Sequence, residues 1–271
     1  MGTGIVAGLW MVGMLRSIAP MAADTPTVRL DAAQLAKRLA AAPEGIPPDL
    51  AGVDLSGLDL NGVDFKGANL TGARLVGANL AGANLFSCDL TDAVASDAVL
   101  TKANMDGTVL RRADFQRADM EEASLFATIL EKTNLSGANL AGTRIIGYLR
   151  SANLAGASLR NADAGADPGN QSMGVMRATF VGADLTGADL SGANLYKADF
   201  SYANLSAARL QGANLENADL VQTNFSRADL TGVRLEKANI DGANFRGATG
   251  ISRIQGLDQA RNRDKAIFDA K

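Results

Sequence analysis

The residues of this chain that could carry out acid–base chemistry are aspartates at regular spacing. A carboxylate pair can act as general acid and general base. The sequence has no His and a single Cys, Cys88, which excludes imidazole catalysis, His-ligated metal sites and any internal disulfide. Twelve aspartates stand directly before a bulky apolar residue, and the candidates for an acid–base role among them are seven: Asp114, Asp119, Asp184, Asp189, Asp199, Asp219 and Asp229.

A structural role explains these aspartates better than a catalytic one. Each occupies the same place in a repeat, where Asp and Asn side chains hydrogen-bond to the nearby backbone and favour turns. No nucleophile–base pair accompanies them, and Cys88 takes a small, inward position of its own repeat unit. The sequence therefore predicts a protein that is not an enzyme and that has no catalytic, cofactor or metal site.

Composition narrows the partner classes. The chain has 26 Lys and Arg against 29 Asp and Glu, for a net charge of −3. A nucleic-acid-binding surface is normally basic, so we expect no direct binding of nucleic acid. No run reaches the roughly 18 continuous apolar residues of a membrane-spanning helix, so we also expect no transmembrane span.

The repeat is the main feature of the sequence. A bulky apolar residue recurs every fifth position, preceded two residues earlier by Ala and directly by Asp or Asn, and often followed by Gly at the second position, as in Ala183–Gly187. The unit runs from Leu50 to Ile145, slips by one residue through Leu149 to Ala164, and returns to its original phase after Asp167–Ser172. The clearest part of the series is Phe180, Leu185, Leu190, Leu195, Phe200, Leu205, Leu210, Leu215, Leu220, Phe225, Leu230, Leu235, Ile240 and Phe245.

A period of five fits neither a helix nor a flat strand. On an α-helix five residues advance by about 500°, so the apolar residues would spread over the whole surface. On a strand they would alternate between the two faces. A backbone that turns a corner once in every quintet can point each bulky residue and its Ala inward, and stacked coils can then pair their backbone groups.

These quintets resemble those of the pentapeptide repeat proteins, over roughly residues 48–250. The resemblance implies an all-β solenoid, a right-handed quadrilateral parallel β-helix with four quintets per coil and short terminal capping helices. The spacing of the aromatic residues supports it, since Phe180 and Phe200, like Phe225 and Phe245, are 20 residues apart and would stack in neighbouring coils.

Segments at both ends are predicted to cap the solenoid. Asp31–Ala40, within a linker at 24–47, reads as a short helix with Asp31 as its N-cap, and prolines end it before the first coil. Residues 251–271 are predicted as a C-terminal capping helix over Leu257–Ala270, with Leu257, Ala260, Ile267 and Phe268 as packing residues. The alternative for this helix is dimerisation, which some members of the resembled family use.

Two segments leave alternatives open. Residues 1–23 contain an apolar run, Ile5–Leu15, followed by small residues, which is typical of a secretory signal, although no Lys or Arg precedes it. Export to the periplasm is one interpretation, and an unprocessed apolar segment of a cytoplasmic protein is the other. The repeat is also interrupted near 146–172, where a kink or an outward loop is expected.

A few outward positions break the polar pattern of the repeat. Val109, Ile129 and Tyr148 stand directly before their bulky residues, one coil apart, and Phe126 and Ile146 directly follow theirs on the preceding side. Around one corner these five are predicted to form a contiguous apolar strip, with Phe86 two coils away. A contiguous strip of this kind favours a contact surface, either for a partner protein or for a second copy of the chain. The alternatives are incidental exposure and cover by a terminal segment of the chain.

The function predicted from these features is that of a non-enzymatic, rigid scaffold or protein-interaction module. The resemblance implies an alternative, because some pentapeptide repeat proteins mimic DNA and inhibit a type II topoisomerase, gyrase. That role needs a strongly acidic rod, whereas residues 49–250 carry 23 Asp and Glu against 17 Lys and Arg. Arg111, Glu131 and Arg150 fall about one coil apart and predict a salt-bridge ladder on one face.

Overall fold

The chain winds into a coil with four sides. This computed structural model describes residues 28–166 and 176–270. Residues 20 apart pair as parallel bridges on each side, so a coil holds four quintets, as the resemblance to pentapeptide repeat proteins implies. We number the faces 1 to 4 after the bridges that begin them, Asp49 to Asn69, Asp54 to Arg74, Asp59 to Asn79 and Asp64 to Asn84.

Each quintet places two side chains inside and turns one corner. In the quintet Ala183–Gly187, Ala183 and Leu185 are buried. The corner after Leu185 is closed by the Ala188 amide, which donates to the Leu185 carbonyl oxygen over 3.0 Å. The second turn residue, Gly187, has a φ of +67°, a conformation that glycine adopts without steric cost. Other corners tolerate it with polar residues, as at Lys237 with a φ of +59°.

The interior is a continuous column of Leu, Ile, Met and Phe side chains lined by Ala. The predicted aromatic stacks form: the ring centroids of Phe180 and Phe200 lie 4.5 Å apart, and those of Phe225 and Phe245 lie 5.2 Å apart. Phe268 extends the second stack, with its ring 5.0 Å from that of Phe245. Burial of these side chains supplies the main favourable term in folding.

The helix predicted at the N-terminal end is confirmed. Helix α1 spans Ala32–Ala41, and Asp31 is its N-cap in a capping box with Gln34. Leu35 and Leu39 are buried against the first coil, so the helix covers apolar side chains that the end of the stack would otherwise expose.

The α-helix predicted over Leu257–Ala270 is wrong. The chain there adds one more coil with longer sides, as Gln255, Arg261 and Ile267 pair with residues of the coil before them. Its helical parts are two short 3₁₀ helices, Ile251–Arg253 and Arg263–Lys265. Pairing satisfies backbone groups at the open edge of the stack that a helix would leave uncovered. Dimerisation through a C-terminal α-helix therefore loses its structural basis.

One coil in the middle of the stack is irregular. Strands β1, Ser124–Ile129, and β2, Arg144–Tyr148, pair in parallel, with a register shift between Phe126 and Thr128. The next bridges, such as Asn134 to Asn153, join residues 19 apart. The one-residue slip seen in the repeat is thus a side shortened by one residue, at the corner between faces 4 and 1.

The coil that follows is longer than the regular ones. Its bridges join residues 31 apart, for example Asn153 to Asp184, yet all four faces continue across it. The expected loop at 167–172 lies outside the described residues, as do the apolar segment at 1–23 and its two interpretations. In the part of the chain that the structure describes, no helix has the length and apolar character needed to cross a membrane.

Candidate functional site

The outward aspartates and asparagines form hydrogen-bonded ladders. Asp114 is typical: its Oδ1 accepts from the Gln116 amide at 3.1 Å and from the Asn134 side-chain amide one coil later at 2.9 Å. Asp229 accepts from the backbone amide and the hydroxyl of Thr231, at 3.0 and 2.7 Å, and the hydroxyl bond is the main cause of its lowered pKa. The predicted hydrogen bond from the local backbone is present for six of the seven candidate aspartates, whereas the Asp219 carboxylate instead accepts from Arg177 Nη1 at 2.7 Å.

Two kinds of reactive site, a metal site and a reactive thiol, can be checked among the described residues. Within residues 28–166 and 176–270 no group of His, Cys, Asp and Glu is arranged to hold a metal ion. Cys88 is buried, as its position predicts, and burial raises the pKa of its thiol to about 12. It is therefore a thiol and not a reactive thiolate at neutral pH.

Three residues of the predicted apolar strip occupy successive rungs of face 1. Val109 bridges to Ile129, and Ile129 pairs with Tyr148 in the β1–β2 ladder. Val109 and Ile129 are half-buried, whereas Tyr148 is 56% exposed. Phe126 lies three residues before Ile129 in strand β1, at the adjoining corner, and is also half-buried. We call these four residues the apolar strip.

Ile146 does not belong to this surface. Only 1% of it is exposed, which corrects the prediction that it points outward. The side of the coil that contains it is one residue short, so strand β2 runs directly from face 4 to face 1 with Ile145, Ile146 and Gly147 all buried. The predicted pattern assumed a full corner at this place, and the corner is missing.

Phe86 is exposed, at 54%, but stands apart from the apolar strip. Its corner column continues through Asp106 before it reaches Phe126. The Asp106 carboxylate accepts from the Ser124 hydroxyl at 2.5 Å and from the Phe126 amide at 2.9 Å. A charged residue held in this position separates the two rings, so the structure brings together four of the six predicted residues.

A basic corner borders the apolar strip, between faces 1 and 2. The cationic side chains of Arg111, Arg112, Lys132 and Arg150 line an open hollow of about 160 Å³ with Glu131 and Ser151. Of the predicted salt-bridge ladder, the Arg111–Glu131 pair forms, with Nε 3.3 Å from Oε2. Lys132 was missed by sequence reasoning, although its place two residues after Leu130 is the outward turn position of the repeat.

Many acidic side chains on the rod are neutralised by neighbours. Arg112 makes a bidentate pair with Asp92, at 2.7 and 2.5 Å, and Arg117 makes the same pair with Asp97, at 2.8 and 2.7 Å. Hydrogen bonding to Arg117 is the main cause of the lowered pKa of Asp97. At these two places a carboxylate on one coil is thus paired with a guanidinium group on the next coil.

The fold defines the class of protein. Four parallel sides per coil, each with one bulky and one small residue inside, make this a right-handed quadrilateral β-helix. The family model described as pentapeptide repeats matches residues 49–85, 88–125, 176–212 and 208–247. The chain belongs to the pentapeptide repeat family.

Several solved structures resemble the chain. HetL, a pentapeptide repeat protein involved in heterocyst differentiation regulation from the cyanobacterium Nostoc sp. strain PCC 7120, is 31% identical, with 88% of this chain and 94% of that chain covered and a TM-score of 0.43. QnrB1, a plasmid-mediated fluoroquinolone resistance protein, is 14% identical, with 80% and 89% covered and a TM-score of 0.46. No curated protein is similar enough to the chain to match it.

Proposed function

We propose that this protein is a non-enzymatic scaffold whose apolar strip, Val109, Phe126, Ile129 and Tyr148, is its contact surface for another protein chain. One observation carries the proposal: three successive rungs of face 1 are apolar. Elsewhere an apolar residue on a face has polar residues on the neighbouring rungs, as Val94 has between Arg74 and Asp114. A contiguous apolar patch marks an interaction site, whereas single exposed apolar residues need no explanation.

The arrangement of charge favours a scaffold over a DNA mimic. A mimic needs rows of unpaired negative charge that stand in for phosphates, as a basic partner surface requires. Here Asp92 and Asp97 each pair with an arginine, and face aspartates such as Asp114 accept hydrogen bonds from asparagine amides. The carboxylates are therefore engaged within the rod.

The test uses two tyrosines as a matched pair. Tyr148 and Tyr202 are both exposed, at 56% and 65%, but Tyr202 lies in the upper coils, away from the apolar strip. A photo-crosslinking phenylalanine analogue placed at each position is irradiated in purified protein and in cells of the source organism. A homodimer adduct reports a second copy, and a larger adduct reports another protein.

We expect an adduct from position 148 that position 202 does not give, and we expect Ile129→Ser to abolish it while the circular dichroism spectrum stays unchanged. Equal adducts from both positions, or none from position 148, would contradict the proposal.

A further inference from the structure

The apolar strip has positive groups along both of its edges. On the basic corner Arg111 follows Val109, and Arg150 follows Tyr148, each by two residues, across a single inward leucine. On the other edge the Arg144 guanidinium lies over the Phe126 ring, 4.5 Å from its centroid. Apolar side chains flanked by guanidinium and ammonium groups fit an apolar partner surface that is flanked by carboxylates.

The charges of the basic corner differ in how fully they are engaged. Arg112 is held by Asp92, and Arg111 by Glu131. Lys132 and Arg150 are exposed and make no ion pair among the residues that the structure describes. Four cationic side chains and one carboxylate line this hollow, on a chain whose net charge is −3. The corner is thus a positive region on an acidic protein.

We infer that the apolar strip and the basic corner together bind an acidic amphipathic helix of a partner protein. The rungs of face 1 repeat every ~4.8 Å along the rod, close to the ~5.4 Å pitch of an α-helix lying parallel to it. Val109, Ile129 and Tyr148 then meet successive turns of the apolar face of the helix. Glu or Asp side chains on its flank reach Lys132 and Arg150.

A second copy of this chain does not supply such a helix among its described residues. Helix α1 contains Lys37 and Arg38 and no acidic residue, and its buried side chains, Leu35 and Leu39, already cover the first coil. The occupant we assign is an acidic helix of a different protein. This inference rests on the proposed function, because it names the partner class for the same surface.

The probe is a fluorescein-labelled synthetic peptide of about 20 residues, long enough to form a helix. It carries Leu at positions three and four apart and Glu on the flanking positions. Two control peptides have Lys in place of Glu or the same composition in scrambled order. Fluorescence anisotropy measures binding of each peptide to the full chain at low and at high salt.

We expect the Glu peptide to bind, the Lys peptide and the scrambled peptide to bind at least about tenfold more weakly, and the affinity to fall with added salt. The double variant Lys132→Glu, Arg150→Glu should weaken the Glu peptide by about tenfold or more. The matched control is Arg227→Glu, Lys237→Glu, which changes the net charge equally but lies in the upper coils, and it should bind as the wild type does.

The outcomes separate the inference from the proposed function. If the Glu peptide does not bind, or binds both charge-reversed variants equally, the acidic partner class is wrong, whatever the crosslink at position 148 shows. If the Glu and Lys peptides bind equally and Tyr148→Ser removes both, the apolar strip is a contact surface and the inference from charge fails. If Tyr148→Ser leaves binding of the Glu peptide unchanged, the peptide binds elsewhere and the inference is overturned.

Discussion

The same repeat is regular in the upper coils, residues 179–249, and irregular in the middle coils, residues 109–148. In the upper coils every residue that forms a face rung is polar, from Thr179 to Thr249, and bridges join partners 20 apart. In the middle coils face 1 is apolar on three rungs, strands β1 and β2 replace isolated bridges, and the register shifts at Ala127.

The difference separates what the fold requires from what a surface can add. The upper coils show that polar rungs and regular corners suffice for a stack whose interior is Leu, Phe and Ala. The middle coils keep that interior but depart from the pattern on the outside. Local departures of this kind are expected at functional sites, and here they coincide with the apolar strip and the basic corner.

The largest expected loss of stability comes from substitutions in the core, and it tests whether the upper and middle coils are packed equally tightly. Phe200 is fully buried and stacks on Phe180, whereas Phe115, also fully buried, follows the small Ala95 on the same face. Phe200→Ala and Phe115→Ala should each lower the free energy of unfolding by about 3–5 kcal/mol, because each leaves a cavity. Phe200→Ala should cost more, since it also removes a ring pair.

Urea denaturation of the two variants measures this, with Phe200→Leu as the control that keeps most of the volume. A cost below that of Phe200→Leu for either alanine variant would show that its coil is loosely packed.

A smaller effect tests the shortened corner of the middle coils. In strand β2 a Cβ on Gly147 would overlap the carbonyl oxygen of Thr128 and lie 2.7 Å from its Oγ1. Gly147→Ala should therefore destabilise the protein by about 3 kcal/mol, because backbone has to move. At a regular corner, a Cβ added to Gly187 would have no atom within 4 Å, but the φ there is +67°, so Gly187→Ala should cost about 1 kcal/mol.

Thermal and urea unfolding of both alanine variants give the comparison. Equal losses would mean that the shortened corner is no tighter than a regular one.

The smallest effect concerns the polar rungs of the upper coils. Hydrogen bonding to Thr231 holds the pKa of Asp229 below its ordinary value of 3.8. A group with a lowered folded-state pKa stabilises the protein above its unfolded-state pKa, and that contribution is lost as the pH falls through the folded value. Asp229→Asn should thus cost under about 1 kcal/mol at pH 7, since the rung is near the surface.

Unfolding free energies of the wild type and of Asp229→Asn, measured from pH 7 down to pH 2.5, check the sign. The two curves should converge at the acid end. A constant difference across this range would show that the charge of Asp229 is not involved, and Thr231→Val should reproduce part of the convergence.

Much of the fold could be predicted from the sequence because the same inward, outward and turn positions recur in quintet after quintet. The inward positions, the aspartate hydrogen bonds and the Phe180–Phe200 stack all follow from the period of five. Helix α1 was found because Asp31 and Gln34 form a local capping signal. The prediction for the C-terminal segment was wrong because sides of six residues do not repeat the period of five. Ile267 and Phe268 are also compatible with a helix.

The candidate site was predictable only in part. Val109, Ile129 and Tyr148 break the polar pattern and so could be found by period alone. The burial of Ile146 depends on which side of the coil is one residue short. The change of phase in the repeat shows that a residue is missing but does not show on which side. Of the basic corner, Arg111 and Arg150 could be placed together from their spacing, whereas Lys132 joins them only when the corners of the coils are stacked.

The 19-residue coil and the 31-residue coil both change their length at the same corner, between faces 4 and 1, whereas the last coil gains one residue on each of three sides. This corner between faces 4 and 1 accommodates changes in chain length, since the bridges on all four faces continue in the coils that follow it. A further quintet wound into the coil as an extra side would instead rotate every later side by a quarter turn, because a coil has four sides. The corner between faces 4 and 1 is therefore a place where a segment can be inserted into the rod while the rest of the sequence is kept.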